Sequence, residues 1–322
     1  MMNLSVLEKE MNAISWNNTK GGGTMQRPTW YWVLRVIMTL LTVLGNGLVM
    51  YIIASRKRLR QRRSPNWYIL SLAVADFCVG VYNGPSLFLY VWLPVTYSPE
   101  TWAILEFFMN VFLIASVANL FALTLDRYLA IVHPFTHHNL VNSNGCLAMI
   151  VIAWMVALLQ RIPFLVLKLN NAESSTFLRY QIFYIPTFVI LPNIFMIYAY
   201  VRIAFVARRH LKHMRATDVQ ESSNSTTNPS NTRQRRLETR HRNASTAAVG
   251  VVIAIFLVCS SFLQYWLICN YFDVPTCNEN ESNIRFYAMV LMRYFNSAPN
   301  FFVYALMKND FRNEVRSLFS CL

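Results

Sequence analysis

The chain has 322 residues, of which 55% are hydrophobic and only 14% are charged, and its mean hydropathy is +0.33. Soluble domains carry about 25% charged residues, so this chain has too few charges to cover a surface in water. Its net charge of +14 could indicate a nucleic-acid-binding protein, but the basic residues cluster between apolar segments. That distribution is typical of membrane proteins. We therefore expect the partner to be a lipid bilayer and not nucleic acid.

Seven stretches are long and apolar enough to cross about 30 Å of hydrocarbon as a helix. Since none of them alternates as a membrane β-strand does, the prediction is an all-α membrane protein, a seven-transmembrane helix bundle over residues 30–306. The predicted spans are Trp30–Ser55, Trp67–Leu93, Thr101–Val132, Cys146–Leu167, Tyr180–Val206, Ala244–Phe272 and Arg285–Leu306.

Basic residues concentrate on one side of the predicted membrane, at 56–63 after the first span and 208–242 after the fifth. The positive-inside rule places these loops in the cytoplasm and the N-terminal tail, residues 1–29, outside the cell. The tail has no apolar signal-peptide core, so we expect the first span to anchor a multi-pass protein of the plasma membrane. Glycosylation sequons on the predicted outer side are Asn3, Asn17 and Asn280.

Two segments on the predicted inner side differ from the spans. Residues 216–240 are rich in Ser, Asn and Thr without an apolar period, which predicts a disordered third cytoplasmic loop. Residues 307–322 predict a short amphipathic surface helix and tail, with apolar side chains at helical spacing. These side chains are Phe311, Val315, Leu318 and Phe319.

The cysteines outside the predicted spans leave two questions open. Cys321 follows the surface helix and is either palmitoylated or unmodified. Cys269 and Cys277 lie near the outer face, in an oxidising compartment, and form either a disulfide or two free thiols.

Several polar residues lie at bilayer depth within the predicted spans. Asp76 is in the second span, Asn46 in the first, and Asn296, Ser297 and Asn300 share the seventh. An ionisable group there costs at least roughly 2.5–3.5 kcal/mol, so it faces the bundle interior. Such residues are either functional or hold helices together through hydrogen bonds.

Short motifs occur in order along these spans. They are Gly45-Asn46, Leu72-Ala73-Val74-Ala75-Asp76, Asp126-Arg127-Tyr128, Trp154, Pro192, Tyr200 and Asn300-Phe301-Phe302-Val303-Tyr304. In identity and order they resemble the rhodopsin-like (class A) G-protein-coupled receptor family from Trp30 to Phe319.

This resemblance implies a receptor that passes an extracellular ligand signal to heterotrimeric G proteins by helix rearrangement. It also implies which residues form the activation switch and the G-protein contact. These are Asp126, Arg127, Tyr128, Pro134, Phe135, Tyr200, Asn300 and Tyr304.

The outer halves of the spans predict a ligand pocket, although each of its residues could equally serve packing. Met109 stands where monoamine receptors carry an aspartate, and Tyr294 stands at the position of the retinal lysine. The resemblance therefore disfavours both ligands, and the ligand class is open. Arg293 is expected to pair with Glu106 or with an acidic ligand. The predicted pocket residues are Tyr82, Asn83, Glu106, Met109, Asn110, Tyr265, Arg293 and Tyr294.

No cofactor is expected except a sodium ion acting as an allosteric ligand. Oxygen ligands around one carboxylate suit a hard cation, and the resemblance places five such residues together. They are Asp76, Ser116, Asn296, Ser297 and Asn300.

The chain also departs from the family pattern. Phe301 replaces a proline after Asn300, Ser260-Ser261-Phe262 replaces the Trp-x-Pro of the sixth span, and Trp102 replaces the cysteine of the usual outer disulfide. Arg242 stands where many relatives carry a carboxylate facing Arg127, which predicts signalling without ligand.

Alternative functions are weaker. A transporter or channel is the runner-up, but no internal repeat supports it. An enzyme is not expected, because all six histidines lie outside the spans and no catalytic or metal set can converge.

Overall fold

The structure is a computed structural model that describes residues 28–57, 59, 66–83, 98–140, 143–223, 246–265, 269 and 282–320. All regular elements in these ranges are helical. They are α1 (Thr29–Ser55), α2 (Asn66–Cys78), α3 (Pro99–Val132), α4 (Pro134–Leu140), α5 (Ser143–Leu159), α6 (Ile162–Leu169), α7 (Ser174–Tyr184), α8 (Leu191–Ser223), α9 (Thr246–Tyr265), α10 (Ser282–Phe295), α11 (Asn300–Met307) and α12 (Asn309–Ser320). We name the end where α1 begins the outer end, and the opposite end the inner end.

The distribution of side chains is that of a membrane bundle. Apolar residues such as Leu44, Phe205 and Leu306 are exposed, whereas polar residues such as Asp76 and Asn119 are fully buried. Within the described ranges, five helical stretches are long and apolar enough to cross a membrane, and residues 66–82 form a shorter apolar helix. These features confirm the prediction of an all-α membrane helix bundle.

The third span, α3, is the central helix. Ser98 caps its N-terminus by accepting a hydrogen bond from the backbone N–H of Thr101 at 3.3 Å. Pro99 follows at the first helical position, where no N–H is needed. The helix contacts α2, α5, α6 and α8, so a side chain on α3 can reach most of the bundle.

Three spans are interrupted where a single helix was predicted. The fourth span breaks at Gln160 and Arg161, ahead of Pro163, and continues as α6. The fifth has a π-helical turn, Ile185–Ile190, between α7 and α8. The seventh ends as α10 at Phe295 and resumes as α11 at Asn300. Pro299 lies in this last break. Because proline supplies no N–H for a helical hydrogen bond, it contributes to the interruption.

Two predicted boundaries need correction. The fifth span begins at Ser174, six residues before the predicted start, and α8 continues to Ser223. Residues 216–223 are therefore helical and not part of a disordered loop, and residues 224–240 lie outside the described ranges. A helix leaving the membrane continues because Ala, Arg and Gln favour it locally.

The connection between the fourth and fifth spans is only four residues long. Asn171 adopts the left-handed conformation (φ 47°), which asparagine tolerates better than most residues. The N–H groups of Ala172 and Asn171 bond to the carbonyls of Leu167 and Lys168, the Schellman arrangement that ends a helix. This turn brings α7 directly back against α6.

The predicted surface helix is present as α12, which packs against the inner end. Phe311 is buried, with its ring centroid 6.5 Å from that of Tyr304. Arg56 and Glu314 form an ion pair at 2.9 Å, and Lys308 donates a hydrogen bond to Asn66. The helix therefore contacts α1 and α11 at their inner ends, and Lys308, just before it, is bonded to the start of α2.

Candidate functional site

At the inner end of α3, Arg127 is bound by the residue before it. Its Nε and Nη2 atoms donate to Asp126 Oδ2 at 3.0 and 2.7 Å. His137 on α4 contacts the other carboxylate oxygen, with Nε2 3.1 Å from Oδ1. Among the described residues Asp126 is the only carboxylate paired with Arg127. The two charged residues of the predicted switch, Asp126 and Arg127, thus form an ion pair, and we call this arrangement the closed state.

Tyr200 and Tyr304 lie on either side of the inner core. The Tyr200 hydroxyl donates to the carbonyl of Thr246 at the start of α9. The Tyr304 hydroxyl is buried and has no hydrogen-bond partner among the described residues. A buried hydroxyl without a partner costs free energy, so the Tyr304 hydroxyl gains from any movement that supplies one.

The predicted G-protein contact lies beside this switch. Pro134 begins α4, and the Phe135 side chain is 86% exposed. Tyr128 instead packs its ring against Phe195 and Tyr198 of α8. The structure therefore presents Phe135 outward and holds Tyr128 against the fifth span.

A buried polar cluster surrounds Asp76 in the middle of the bundle. Ser116 and Ser297 donate to Asp76 Oδ1, and Asn300 donates to Oδ2, each at 2.6 Å. Asp76 and Ser297 are fully buried. Helices α2, α3 and α11 and the break before α11 are thus joined through one carboxylate.

Three amide oxygens near the same level have no hydrogen-bond partner among the described residues. They are the Oδ1 atoms of Asn46, Asn119 and Asn300, all buried. Asn46 and Asn119 use their amide nitrogens to bond the carbonyls of Ser297 and Ala115. Unsatisfied buried acceptors are the groups that a cation can satisfy.

Asn296 does not join this cluster by any recorded contact. It is half-buried, whereas the four other predicted sodium ligands are buried and hydrogen-bonded to one another. The reason is the helix break: Ser297 turns inward where the regular helix stops at Phe295. Asn119, which the sequence analysis did not select, lies on the inward face of α3 three residues after Ser116.

In the outer half, Glu106 pairs with a cation that the sequence analysis did not consider. Its Oε2 atom lies 3.4 Å from Lys168 Nζ at the end of α6. Arg293, the predicted partner, is in α10, but its side chain is not among those described. Asn110, one turn inward from Glu106, donates to the Glu106 backbone carbonyl.

The other predicted pocket residues also lie in the outer half. Tyr82 faces Phe112 of α3, at 5.6 Å between ring centroids, and Met109 is half-buried. Tyr265 keeps half of its surface exposed, so it is not a buried wall. For Asn83 only the backbone is described.

A buried arginine of α1 was missed by the sequence analysis. Arg35 is 4% exposed and donates to the hydroxyls of Tyr31 and Tyr294 at 3.1 and 2.7 Å. Its guanidinium also lies over the Tyr294 ring, 4.8 Å from the centroid. A charged residue inside an apolar span was the available signal.

Arg161, in the break of the fourth span, was missed in the same way. It is 8% exposed, and its guanidinium carbon lies 4.9 Å from the Phe164 ring and 5.4 Å from the Tyr184 ring. Lys168 contacts the same Phe164 ring at 5.7 Å. The outer half therefore contains two buried arginines, Arg35 and Arg161, and a partly buried Lys168 that is paired with Glu106, its only described buried carboxylate.

Some predicted sites fall on residues that the structure does not describe. Cys269 is disulfide-bonded, but Cys277 is outside the described ranges, so their pairing stays a prediction. The same holds for palmitoylation and the glycosylation sites, at Cys321, Asn3, Asn17 and Asn280.

Comparison with known proteins agrees with this geometry. Residues 45–304 match the sequence model of the family "7 transmembrane receptor (rhodopsin family)". The human 5-hydroxytryptamine receptor 2C is 30% identical over 49% of this chain and 35% of its own length. The dog and mouse Substance-K receptors are 25% identical over 95% of this chain and 80% of their length.

The match therefore spans about a third of the length of the serotonin receptors, and most of the length of the Substance-K receptors. The family match covers the helices that hold the Asp76 cluster and the Asp126–Arg127 pair. The chain belongs to the rhodopsin family of seven-transmembrane receptors.

Proposed function

We propose that this chain is a G-protein-coupled receptor of the plasma membrane that passes an extracellular ligand signal to heterotrimeric G proteins by helix rearrangement. The observation that carries the proposal is the inner end of α3. There Arg127 is paired with Asp126, next to the exposed Phe135. A receptor rather than an enzyme or a transporter accounts for this arrangement.

The resting arrangement can change because few polar contacts hold it. Arg127 is bound only to the adjacent carboxylate among described residues, and Tyr200 is joined to α9 by one hydrogen bond. Separation of α9 from α8 would free the Tyr200 side chain, while the Arg127–Asp126 pair lies within α3 and can open independently. A ligand that binds the separated arrangement more tightly shifts the population toward it.

The basic segments at 56–63 and 208–242 support an inner end in the cytoplasm and an N-terminal tail outside. The outer half then opens to extracellular ligands. Two of the relatives are named as receptors for 5-hydroxytryptamine and for substance K. Because Met109 replaces the amine-binding aspartate and Glu106 is paired with Lys168, we propose that the ligand is not a monoamine. Retinal is disfavoured because no lysine lies between Arg285 and Met307.

We also propose a sodium ion at the Asp76 cluster as an allosteric ligand. The residues fit a hard cation, since the carboxylate, two hydroxyls and the unsatisfied Asn300 Oδ1 lie together. Sodium would supply positive charge beside a fully buried carboxylate.

Guanine-nucleotide exchange tests the main proposal. The full chain, reconstituted in lipid nanodiscs, is mixed with one purified heterotrimer from each G-protein class, and nucleotide exchange is followed with and without a ligand library. We expect exchange above that of empty nanodiscs for at least one class, and its loss in Arg127→Ala. Exchange equal to empty nanodiscs for every class, with every ligand, would refute the receptor assignment.

A further inference from the structure

Two cations contact one aromatic ring in the outer half of the bundle, the buried Arg161 and the partly buried Lys168. Arg161 and Lys168 contact the Phe164 ring at 4.9 and 5.7 Å. Tyr184 of α7 covers Arg161 from the other side at 5.4 Å. The four-residue connection between α6 and α7 brings these elements together, so the cluster lies at one corner of the fold, where the fourth span turns into the fifth.

The charges in this corner do not balance among the described residues. Glu106 is paired with Lys168 at 3.4 Å. Arg161 makes no side-chain hydrogen bond and no ion pair with any described residue, and its Nε atom is buried without a partner. Glu106, the described carboxylate of this corner, is thus paired with Lys168, and Arg161, which is more than nine-tenths buried, has no carboxylate among the described residues.

Aromatic contacts do not replace the missing anion. A cation–π contact recovers less free energy than the removal of an ion from water costs, even after the protein relaxes. The rings also leave the N–H groups of the guanidinium without acceptors. Arginine binds carboxylate and phosphate through two parallel hydrogen bonds, so an oxyanion is the group that satisfies it.

The corner adjoins the expected ligand pocket. Helix α6 packs against α3, and Glu106 is about one turn from Met109 and Asn110 on α3. The Lys168–Glu106 distance of 3.4 Å exceeds the roughly 2.7–2.9 Å of a tight charge-assisted hydrogen bond. Lys168 can therefore turn toward an incoming anion while Glu106 stays in reach.

We propose that Arg161 and Lys168 form an anion subsite that takes the acidic group, a carboxylate or phosphate, of a molecule bound in the outer half of the receptor. The proposal rests on the proposed function in taking the outer half as a ligand pocket. The subsite itself is argued from the buried charge of Arg161 and from its contacts. The acidic group belongs either to an extracellular ligand or to a lipid headgroup of the outer leaflet.

The test uses benzoate and its neutral analogue benzamide as probes on the purified full chain in phosphatidylcholine nanodiscs. We expect benzoate to raise the thermal unfolding midpoint of the wild type in a saturable way, and benzamide to leave it unchanged. Arg161→Gln should abolish the benzoate effect. Arg179→Gln is the matched control, because Arg179 is an exposed arginine of α7, and it should retain the effect.

A second measurement separates binding from folding. Without probe, Arg161→Gln should unfold at an equal or higher midpoint than the wild type, because it removes a buried charge that has no counter-ion. Arg161→Lys keeps the charge but not the paired N–H groups, so it should bind benzoate more weakly than the wild type. A lower midpoint for Arg161→Gln, together with an unchanged benzoate response, would assign Arg161 a structural role and overturn the subsite.

The lipid arm identifies the source of the anion. Stabilisation by phosphatidylglycerol that depends on Arg161, without any from benzoate, supports the subsite with a lipid phosphate as its ligand. If neither benzoate nor phosphatidylglycerol stabilises the receptor in a way that depends on Arg161, the subsite is overturned. Thermal unfolding reports the anion effect and nucleotide exchange reports G-protein coupling, so failure of the subsite and failure of the proposed function can be told apart.

Discussion

At the scale of single residues, Gly250 provides the space in which the Tyr200 ring lies. A Cβ atom built on Gly250 would lie 2.5 Å from Tyr200 Cε1 and 2.9 Å from its hydroxyl oxygen. That hydroxyl donates to the Thr246 carbonyl one turn away. The absence of a side chain at position 250 therefore allows α8 and α9 to be joined by this hydrogen bond.

Gly250→Ala should displace the Tyr200 ring and break its bond to Thr246. Because Arg127 is still paired with Asp126 in this structure, the lost bond belongs to the closed arrangement. Its loss, worth about 0.5–1.5 kcal/mol, should raise basal nucleotide exchange roughly two- to tenfold. Gly47→Ala is the control, since its Cβ would meet Phe77 at an ordinary 3.5 Å. Unchanged basal exchange in Gly250→Ala would contradict the expectation.

Sodium binding at Asp76 should be detectable as a change in thermal stability. If sodium binds the cluster, sodium chloride should raise the unfolding midpoint of the receptor above that in choline chloride of equal ionic strength, because a ligand that binds only the folded state stabilises it. Asp76→Asn removes the charge and should abolish the difference. Once an agonist is known, its affinity should also depend on sodium only in the wild type. Identical midpoints in the two salts for the wild type would rule the site out.

At the scale of elements, the ion pair between Glu106 and Lys168 connects α3 to α6. The usual cysteine at the top of α3 is Trp102 here, and the segment from Lys168 to Arg179 has no cysteine. The pair thus joins the third span to the outer end of the fourth without a covalent bond. Both side chains are largely buried, at 8% and 19% exposure.

Glu106→Gln and Lys168→Gln should each lower the free energy of unfolding by about 1–3 kcal/mol, between the values typical of exposed and buried pairs. The double variant should lose less than the sum of the two, because the second change removes a charge that is already unpaired. Thermal unfolding of the four proteins in nanodiscs measures this coupling. Additive losses would show that the two side chains do not interact.

The outer end of the sixth and seventh spans should be linked by a disulfide. Cys269 is disulfide-bonded, and Cys277 is the partner expected from its position in the same outer loop. Mass spectrometry of non-reduced peptides should find the two cysteines in one linked species. Recovery of both as alkylated thiols would exclude the bridge.

Much of the element pattern could be predicted from apolar length alone. For α1 and α3 the predicted ends agree with the structure to within two residues, because a span is bounded where charge and turn residues begin. The breaks at Arg161 and at Asn296–Pro299 could not be placed with equal accuracy. Proline marks a candidate interruption, but neighbouring helices decide whether the chain breaks or only bends there.

The site residues also fall into two groups, those that the sequence motifs predict and those that depend on how the helices pack. Asp76, Ser116, Ser297 and Asn300 come together because motif spacing reflects one inward face of each helix. The partners of Glu106 and Arg161 depend on helix rotation and on the short connection after Leu169, which an almost uniformly apolar span does not encode. Lys168 was missed for this reason.

At the scale of the whole molecule, the resting state depends on how firmly the inner ends of α3, α8 and α9 are held together. Arg127 pairs with Asp126 on its own helix, so this ion pair does not connect α3 to another span. The side-chain hydrogen bond described between α8 and α9 at this end is that of Tyr200 to the Thr246 carbonyl, beside apolar packing between the two helices. Helix α9 itself continues unbroken through Ser260 and Ser261, without the usual proline, which makes an outward bend of its inner end harder.

The positive charge of Arg242, before α9, should shift the equilibrium from the closed state toward the open, signalling state. Arg242 lies four residues before Thr246, outside the described ranges, and stands where many relatives place a carboxylate opposite Arg127. Two like charges at short range near the membrane boundary repel and are only partly screened. A change of about 1.4 kcal/mol in favour of the open state shifts the two-state ratio tenfold. We therefore expect measurable nucleotide exchange without ligand.

Arg242→Glu should supply the missing carboxylate, join α9 to α3 through Arg127, and lower basal exchange at matched surface expression. Arg240→Glu is the control, because it makes the same charge change two residues away from the position that matches the relatives' carboxylate, and it should have a smaller effect. The Arg242→Glu receptor should still respond to an agonist, since the ion pair opposes opening without preventing it. Basal exchange already at background in the wild type, or equal in Arg242→Glu, would show that Arg242 does not destabilise the closed state.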